Sequence, residues 1–242
     1  MERGLLEAEK KHLLIALNEA SKEEVQKIES AFELEQACAA IGFEGKNHIT
    51  KAEVAKLIKT RQLLDRSERE QKEVLNHVKA FEFIQKAVSE KQPLTEDFVK
   101  DLHQIILEDI MNGGLYRQVN IQLMGSTHQP PDHVKVYDRM KKFFMNLEEF
   151  KGDAIERASY VHLSISKIHP FVDGNGRLAR LLMNFVLMQN DYLPISISHD
   201  HIKEYFTALD TFKEQKDMTP MIDLVSALLL KRYNDVNQIL SK

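Results

Sequence analysis

The sequence predicts a mainly α protein, a helical bundle carrying a small β-hairpin flap. Three observations carry that expectation. Apolar residues recur at three- and four-residue spacing along most of the chain, as one face of a helix requires. Glycine and proline number only 9 and 6 in 242 residues, too few for many short strands and turns. Only the stretch Gln118–Leu123 alternates polar and apolar residues with strand period.

The elements follow in order. Residues 4–18 read as a helix, and Ser21 with Glu24 forms a capping box that opens a second, to about Ala40. Gly42 to Asn47 breaks the pattern. Thr50 and Glu53 form another capping box, for a helix to about Leu64. A long helix runs over about 67–89, with Val74, Val78, Phe81, Ile84 and Val88 on one face. Thr95 caps a helix to about Met111, with Glu96 and Asp97 in the first turn, where the helix dipole favours acids. Gly113-Gly114 interrupts, and the flap occupies 118–132, with Gly125, Ser126, Thr127 and His128 at its turn. Helices resume over about 136–150 and 153–167; in the second, Ile155, Ala158, Val161, Ile165 and Ile168 share a face. A further helix runs from Gly176 to about Asp191, before Pro194, and two more occupy about 200–214 and 219–239.

Composition narrows the function classes. A net charge of −4 argues against a general nucleic-acid binder, while leaving room for a local basic pocket. The single cysteine, Cys38, makes neither an internal disulfide nor a zinc site alone, and reads as a buried small residue in a reducing compartment. Met1 to Leu5 lacks a cationic leader followed by an apolar run, and no segment is apolar for long enough to span a bilayer. The expectation is a soluble cytoplasmic protein with no membrane and no nucleic-acid partner.

The reactive chemistry is concentrated in His169-Pro170-Phe171-Val172-Asp173-Gly174-Asn175-Gly176-Arg177-Leu178-Ala179-Arg180. Gly174, Asn175 and Gly176 precede a helix, where small residues let backbone N–H groups form an anion nest and the helix start adds positive potential. Arg177 and Arg180 are three apart and share a face, offering planar bidentate donors to a polyphosphate. Asp173 beside them suits Mg²⁺, which uses one or two carboxylates together with phosphate oxygens. His169 is placed to take a proton from an incoming hydroxyl. Phe171 reads as an anchor in the core. Taken singly, each feature is ordinary: a histidine before proline ends helices, and Gly-Asn-Gly makes turns. Together at one helix junction they point to a Mg²⁺–nucleotide pocket with a histidine base. Other histidines read differently. His162 lies on or beside an apolar stripe and is expected in the core with a hydrogen-bond partner. His199-Asp200-His201 lacks metal-ligand spacing and suits a loop and helix cap.

Residues 169–180 match, at every fixed position, the signature HPFx[DE]GNGRxxR of the Fic family, which this chain resembles. Gly114-Leu115-Tyr116-Arg117, the segment Val119 to Pro131, and Leu181-Leu182-Met183-Asn184 are also similar to Fic-domain sequence, and the likeness covers roughly 93–195. It implies a Fic-type helical bundle and transfer of AMP from ATP to a hydroxyl side chain of a protein. His169 would be the base and Asp173 the Mg²⁺ ligand. Gly174, Asn175, Gly176 and Arg177 would hold the α- and β-phosphates, and Arg180 the γ-phosphate. Gly125 to His128 would pair with the target and border the nucleotide, and Tyr205 and Phe206 would line the adenine.

Many Fic proteins carry an inhibitory helix with the pattern [ST]xxxE[GN], whose glutamate pairs with the second signature arginine. Glu44-Gly45 resembles its end, within an N-terminal segment of about 36–46; Ala40 stands where Ser or Thr is usual, and Lys46 separates Gly45 from Asn47. The expected division is 1–92 for the N-terminal helices, 93–215 for the Fic core and 216–242 for a C-terminal helix. The expected activity is a protein adenylyltransferase autoinhibited by Glu44, acting on a target protein or on itself, and able to form a homodimer as Fic proteins often do. The alternatives are other Fic chemistry, such as removal of AMP or transfer of a phosphoryl, phosphocholine or different nucleotidyl group, and a non-enzymatic helical interaction module.

Overall fold

A computed structural model of the chain describes residues 2–42, 47–63, 65–122 and 129–241. Among them are ten α-helices and no strand: α1 (Glu2–Glu19), α2 (Lys22–Gly42), α3 (Lys51–Thr60), α4 (Glu68–Ser89), α5 (Glu96–Ile106), α6 (Val136–Glu148), α7 (Ala154–Ile168), α8 (Asn175–Met188), α9 (Ile202–Gln215) and α10 (Thr219–Leu240). No helix among the described residues is long and apolar enough to cross a membrane.

Local signals set the helix starts. The Ser21 and Thr50 side chains exchange hydrogen bonds with Glu24 and Glu53 as their capping boxes require, and Ser67–Glu70 and Asp153–Glu156 do the same for α4 and α7. Each cap stabilises its helix by about 1 kcal/mol. Helix ends are set more by tertiary context. α3 stops at Thr60, short of Leu64, because Arg61 turns left-handed and donates its N–H to the Leu57 carbonyl. α5 stops at Ile106, five residues short of Met111: Asn76 of α4 donates to the Glu108 carbonyl at 2.8 Å, and Asp109 turns to a φ of 56°. α8 stops at Met188, since Asp191 is left-handed and Tyr192 folds its N–H back to the Leu187 carbonyl.

α8 is the axis of the molecule. It packs on α7, α4 and α5, and Leu178, Ala179, Leu181, Leu182, Met183, Phe185, Val186 and Leu187 are all within 1% of complete burial. A helix buried on every side, its polar residues Arg177, Arg180 and Asn184 included, lies in the middle of a bundle. The faces read from sequence on α4 and α7 are the ones turned inward. α1 lies on α10, and α9 joins α7 and α10. A second, smaller core ties the end of α2 to α3 and the start of α4 through Ala37, Ile41, Ile49, Val54, Leu57, Val74 and Val78. Cys38, expected to be buried, is half-buried at its edge.

The flap's described arms, 118–122 and 129–132, lack strand pairing. They are tied by side chains instead. Arg117 donates to the Val119 carbonyl at 3.0 Å and to the Pro131 carbonyl, and Asn120 accepts from the His133 N–H at 2.8 Å. The turn with Gly125, Ser126, Thr127 and His128, and the segment with Glu44, lie outside the described residues.

Candidate active site

The loop 169–174 joins the two most tightly packed helices, α7 and α8, so its ends are fixed by the core. His169 ends α7 in the left-handed region, with φ 51°, its N–H held by the Ile165 carbonyl at 2.8 Å. Its Nδ1 lies 3.3 Å from the Ser166 carbonyl. A carbonyl accepts only, so this contact favours the proton on Nδ1 and puts the basic lone pair on Nε2.

The loop is stitched from within. Asn175 donates from Nδ2 to the Phe171 carbonyl at 2.9 Å and accepts the Phe171 N–H on Oδ1 at 3.0 Å. Its amide side chain is therefore a staple, and its offering to an anion is its backbone N–H. Phe171 is completely buried and stacks on the His103 ring, centroids 3.6 Å apart and planes within 9°. Burying that side chain stabilises the loop by about 1.5–3 kcal/mol. Arg117 clamps the other side, with Nε donating to the His169 carbonyl and its N–H to the Pro170 carbonyl, both at 2.9 Å.

His103 of α5 carries the far end of the loop. Its Nδ1 accepts the Gly114 N–H and its Nε2 donates to the Asp173 carbonyl, each at 2.9 Å. That arrangement requires the neutral ring. Gly174 follows at φ 75°, a backbone conformation that favours glycine, and a Cβ there would just touch the His103 ring and Ile106 at 3.4 Å.

The cationic side of the site is the first two turns of α8. The first N–H groups of any helix lack intrahelical acceptors and carry the positive end of its dipole. Arg177, only 2% exposed, reaches within 4.0 Å of Asp173 Oδ1. Arg180, 8% exposed, curls over Gly176 and donates from Nη2 to the Ala40 carbonyl of α2 at 3.1 Å. Asp173 Oδ1 accepts the Gly174 N–H at 2.7 Å, and Oδ2 pairs with Arg69 of α4 at 2.9 Å.

Tyr205 and Phe206 part company. Tyr205 is buried, its hydroxyl 3.1 Å from His162 Nε2 and engaged with Arg180 and Ser166 beneath the loop. Phe206 is exposed. His162 is thus a core histidine with a partner, as its place on the α7 stripe predicts. His199 to His201 form a 3-10 turn leading into α9, and no cluster of three metal-ligating side chains occurs among the described residues.

Three buried histidines are held neutral. Burial pushes His77 and His162 down to about 3 and His103 down to about 4, with neighbouring arginines adding to the effect. The unfolded chain regains ordinary histidines near 6.5, so it takes up protons that the folded chain refuses. Stability is therefore full above pH 6.5 and is lost as pH falls toward 4, by up to about 1.4 kcal/mol per group per pH unit. Urea unfolding at pH 7 and pH 5 is expected to differ by several kcal/mol; equal stabilities would contradict the neutral-ring arrangement.

Sequence reading did not single out Arg69, and it left His77, Gln36 and His103 without a role. Arg117 carried a signal, since Gly114 to Arg117 is part of the Fic resemblance. His103 falls on the apolar stripe of α5 with Val99, Leu102 and Ile106, where it looks like core.

Comparison with known proteins places this architecture. Residues 93–187 match the sequence profile of the Fic/DOC family. The chain is 30% identical over 193 residues to Protein adenylyltransferase Fic of Drosophila persimilis, covering 77% of this chain and 37% of that protein. It is 30% identical over 224 residues to the protein of the same name from Drosophila virilis, covering 90% and 45%. The chain thus spans less than half the length of these curated relatives. In fold it is similar to a Fic domain containing signaling protein from Bacteroides thetaiotaomicron, with a TM-score of 0.87 at 22% identity, covering 100% of this chain and 98% of that one. Fic-1 from C. elegans gives a TM-score of 0.77 at 18% identity, covering 99% and 73%. The fold is that of a Fic-type helical bundle. Residues 93–187 are a domain of the Fic/DOC family.

Proposed function

We propose that this chain is a protein adenylyltransferase, moving AMP from ATP to the hydroxyl of a serine, threonine or tyrosine on a target protein or on itself. The observation that carries the reading is the composition of one loop: a base with its lone pair on Nε2, a carboxylate, and two buried guanidiniums at the start of α8. Nε2 of His169 takes the hydroxyl proton. The hydroxyl oxygen forms a bond to the α-phosphorus, the bond to the bridging oxygen breaks, and pyrophosphate leaves. Arg177, Arg180 and the N–H groups from Gly174 to Gly176 bear the phosphate charge, preorganised by the Asn175 staple. Asp173 is the ligand for Mg²⁺; a single carboxylate fits an ion that otherwise takes waters and phosphate oxygens. When bound, Mg²⁺ neutralises phosphate charge. Phe206 and the flap turn Gly125 to His128 would border the adenine and the target, with Tyr205 and His162 bracing Arg180 from below.

Autoinhibition by Glu44 is part of the proposal. Its support is the contact of α2 with Arg180 through the Ala40 carbonyl, four residues ahead of Glu44, together with the 2.6 Å bond between Gln36 of α2 and His77 of α4 that holds α2 there.

Following phosphorus tests the reaction. Incubation with ATP labelled at the α-phosphate is expected to label protein, and with ATP labelled at the γ-phosphate to leave it unlabelled. Label from the γ position would turn the reading to phosphoryl transfer. Faster loss of label from pre-modified protein than its gain would turn it to removal of AMP.

A further inference from the structure

We propose that Arg69 is a built-in counter-cation that competes with Mg²⁺ for Asp173 and couples metal binding to the docking of the N-terminal segment. The inference rests on the reading of Asp173 as the metal ligand.

Arg69 sits in the first turn of α4, far from the signature loop in sequence, yet its Nη2 lies 2.9 Å from Asp173 Oδ2. The other carboxylate oxygen already takes the Gly174 N–H at 2.7 Å. A divalent ion at Asp173 would need an oxygen at about 2.1 Å, within a few ångströms of the guanidinium, and two such cations repel. Arg69 has somewhere to go. Its Nε is bonded to Glu73 Oε1 at 3.1 Å, one helical turn along α4 and 10% exposed at the side chain. Displacement from Asp173 therefore leaves Arg69 paired.

Glu73 also faces the N-terminal segment. Its Oε2 accepts from Asn47 Nδ2 at 3.0 Å, and the neighbouring Glu70 accepts the His48 N–H at 3.2 Å. The carboxylate that orients Arg69 thus anchors the chain immediately after the inhibitory segment. A metal ion that pushes Arg69 fully onto Glu73 draws on the same carboxylate, so metal binding and segment docking oppose one another, and by linkage the opposition is reciprocal.

The test measures metal occupancy, without turnover. Mn²⁺, an oxygen-ligated stand-in for Mg²⁺, is titrated by electron paramagnetic resonance into protein saturated with an ATP analogue bridged by methylene between the α- and β-phosphates. Arg69 is 56% exposed at the side chain, so the pair is a modest one. Arg69→Gln is expected to lower the half-saturating Mn²⁺ concentration about two- to fivefold. Arg69→Lys, which keeps the charge, is expected to stay near wild type, and metal-free binding of the analogue to stay unchanged in both. Unchanged or weaker Mn²⁺ binding in Arg69→Gln overturns the competition, and weaker metal-free analogue binding would make Arg69 a phosphate ligand instead. Asp173→Asn separates the two layers. If it keeps wild-type Mn²⁺ affinity, the metal assignment itself fails; if it loses Mn²⁺ while Arg69→Gln changes nothing, only the competition fails.

Discussion

His169→Ala is expected to lower AMP incorporation by about 10²–10⁴-fold, the usual contribution of a positioned general base, with ATP affinity within about twofold of wild type. In the proposed mechanism the imidazole acts through Nε2, whereas the groups proposed to hold phosphate lie at the start of α8 and would not depend on it. Position 169 is left-handed, with φ 51°, a conformation that costs an L-residue about 1–2 kcal/mol and that histidine already bears, so the alanine variant's folding is checked as well. His169→Asn removes the base while tolerating that conformation, and the two variants should lose activity alike. Single-turnover labelling beside thermal denaturation separates chemistry from folding. Transfer at the wild-type rate in either variant removes His169 from the role of base.

Glu44→Gly is expected to raise incorporation by about ten- to hundredfold, the worth of a charge-assisted hydrogen bond occupying a buried arginine. Arg180 is the anchor in question. It is 8% exposed, lies over Gly176 and already donates to the Ala40 carbonyl at the end of α2. A carboxylate supplied from the same direction would withdraw it from the terminal phosphate, leaving ATP bound with its α-phosphorus out of line for attack. The gain must need Arg180: in the double variant with Arg180→Ala it should vanish. Unchanged labelling in Glu44→Gly removes the switch.

Much of this molecule was legible in the chain itself. Helix starts announce themselves through Ser, Thr or Asp followed three residues later by Glu, and the apolar faces of α4 and α7 declare their inward sides. The signature loop was legible because its groups are consecutive. What stayed hidden depends on partners distant in sequence. Asp173 and Arg69 are 104 residues apart, Asp173 and His103 are 70 apart, and Arg117 and His169 are 52 apart. Nothing local distinguishes Arg69 from any other basic residue in a first helical turn. Roles also shifted within the loop. Asn175 reads as part of an anion nest, yet its amide matches the backbone groups of Phe171, a complementarity visible only once the loop is closed. Tyr205 reads as a nucleotide wall and instead lies buried on His162, since the pattern of α9 does not say how far that helix is rotated toward the core.

The bonding of Arg117 has a mechanical consequence. One planar group grips the His169 carbonyl and both arms of the flap, at Val119 and Pro131. Three hydrogen bonds on one rigid guanidinium leave little room for independent play. The surface that would feel an arriving polypeptide and the imidazole that would deprotonate it therefore turn on a common pivot. A target that seats poorly against the flap would tilt the base along with it, so discrimination among targets would register in the rate of the chemical step as well as in the strength of docking.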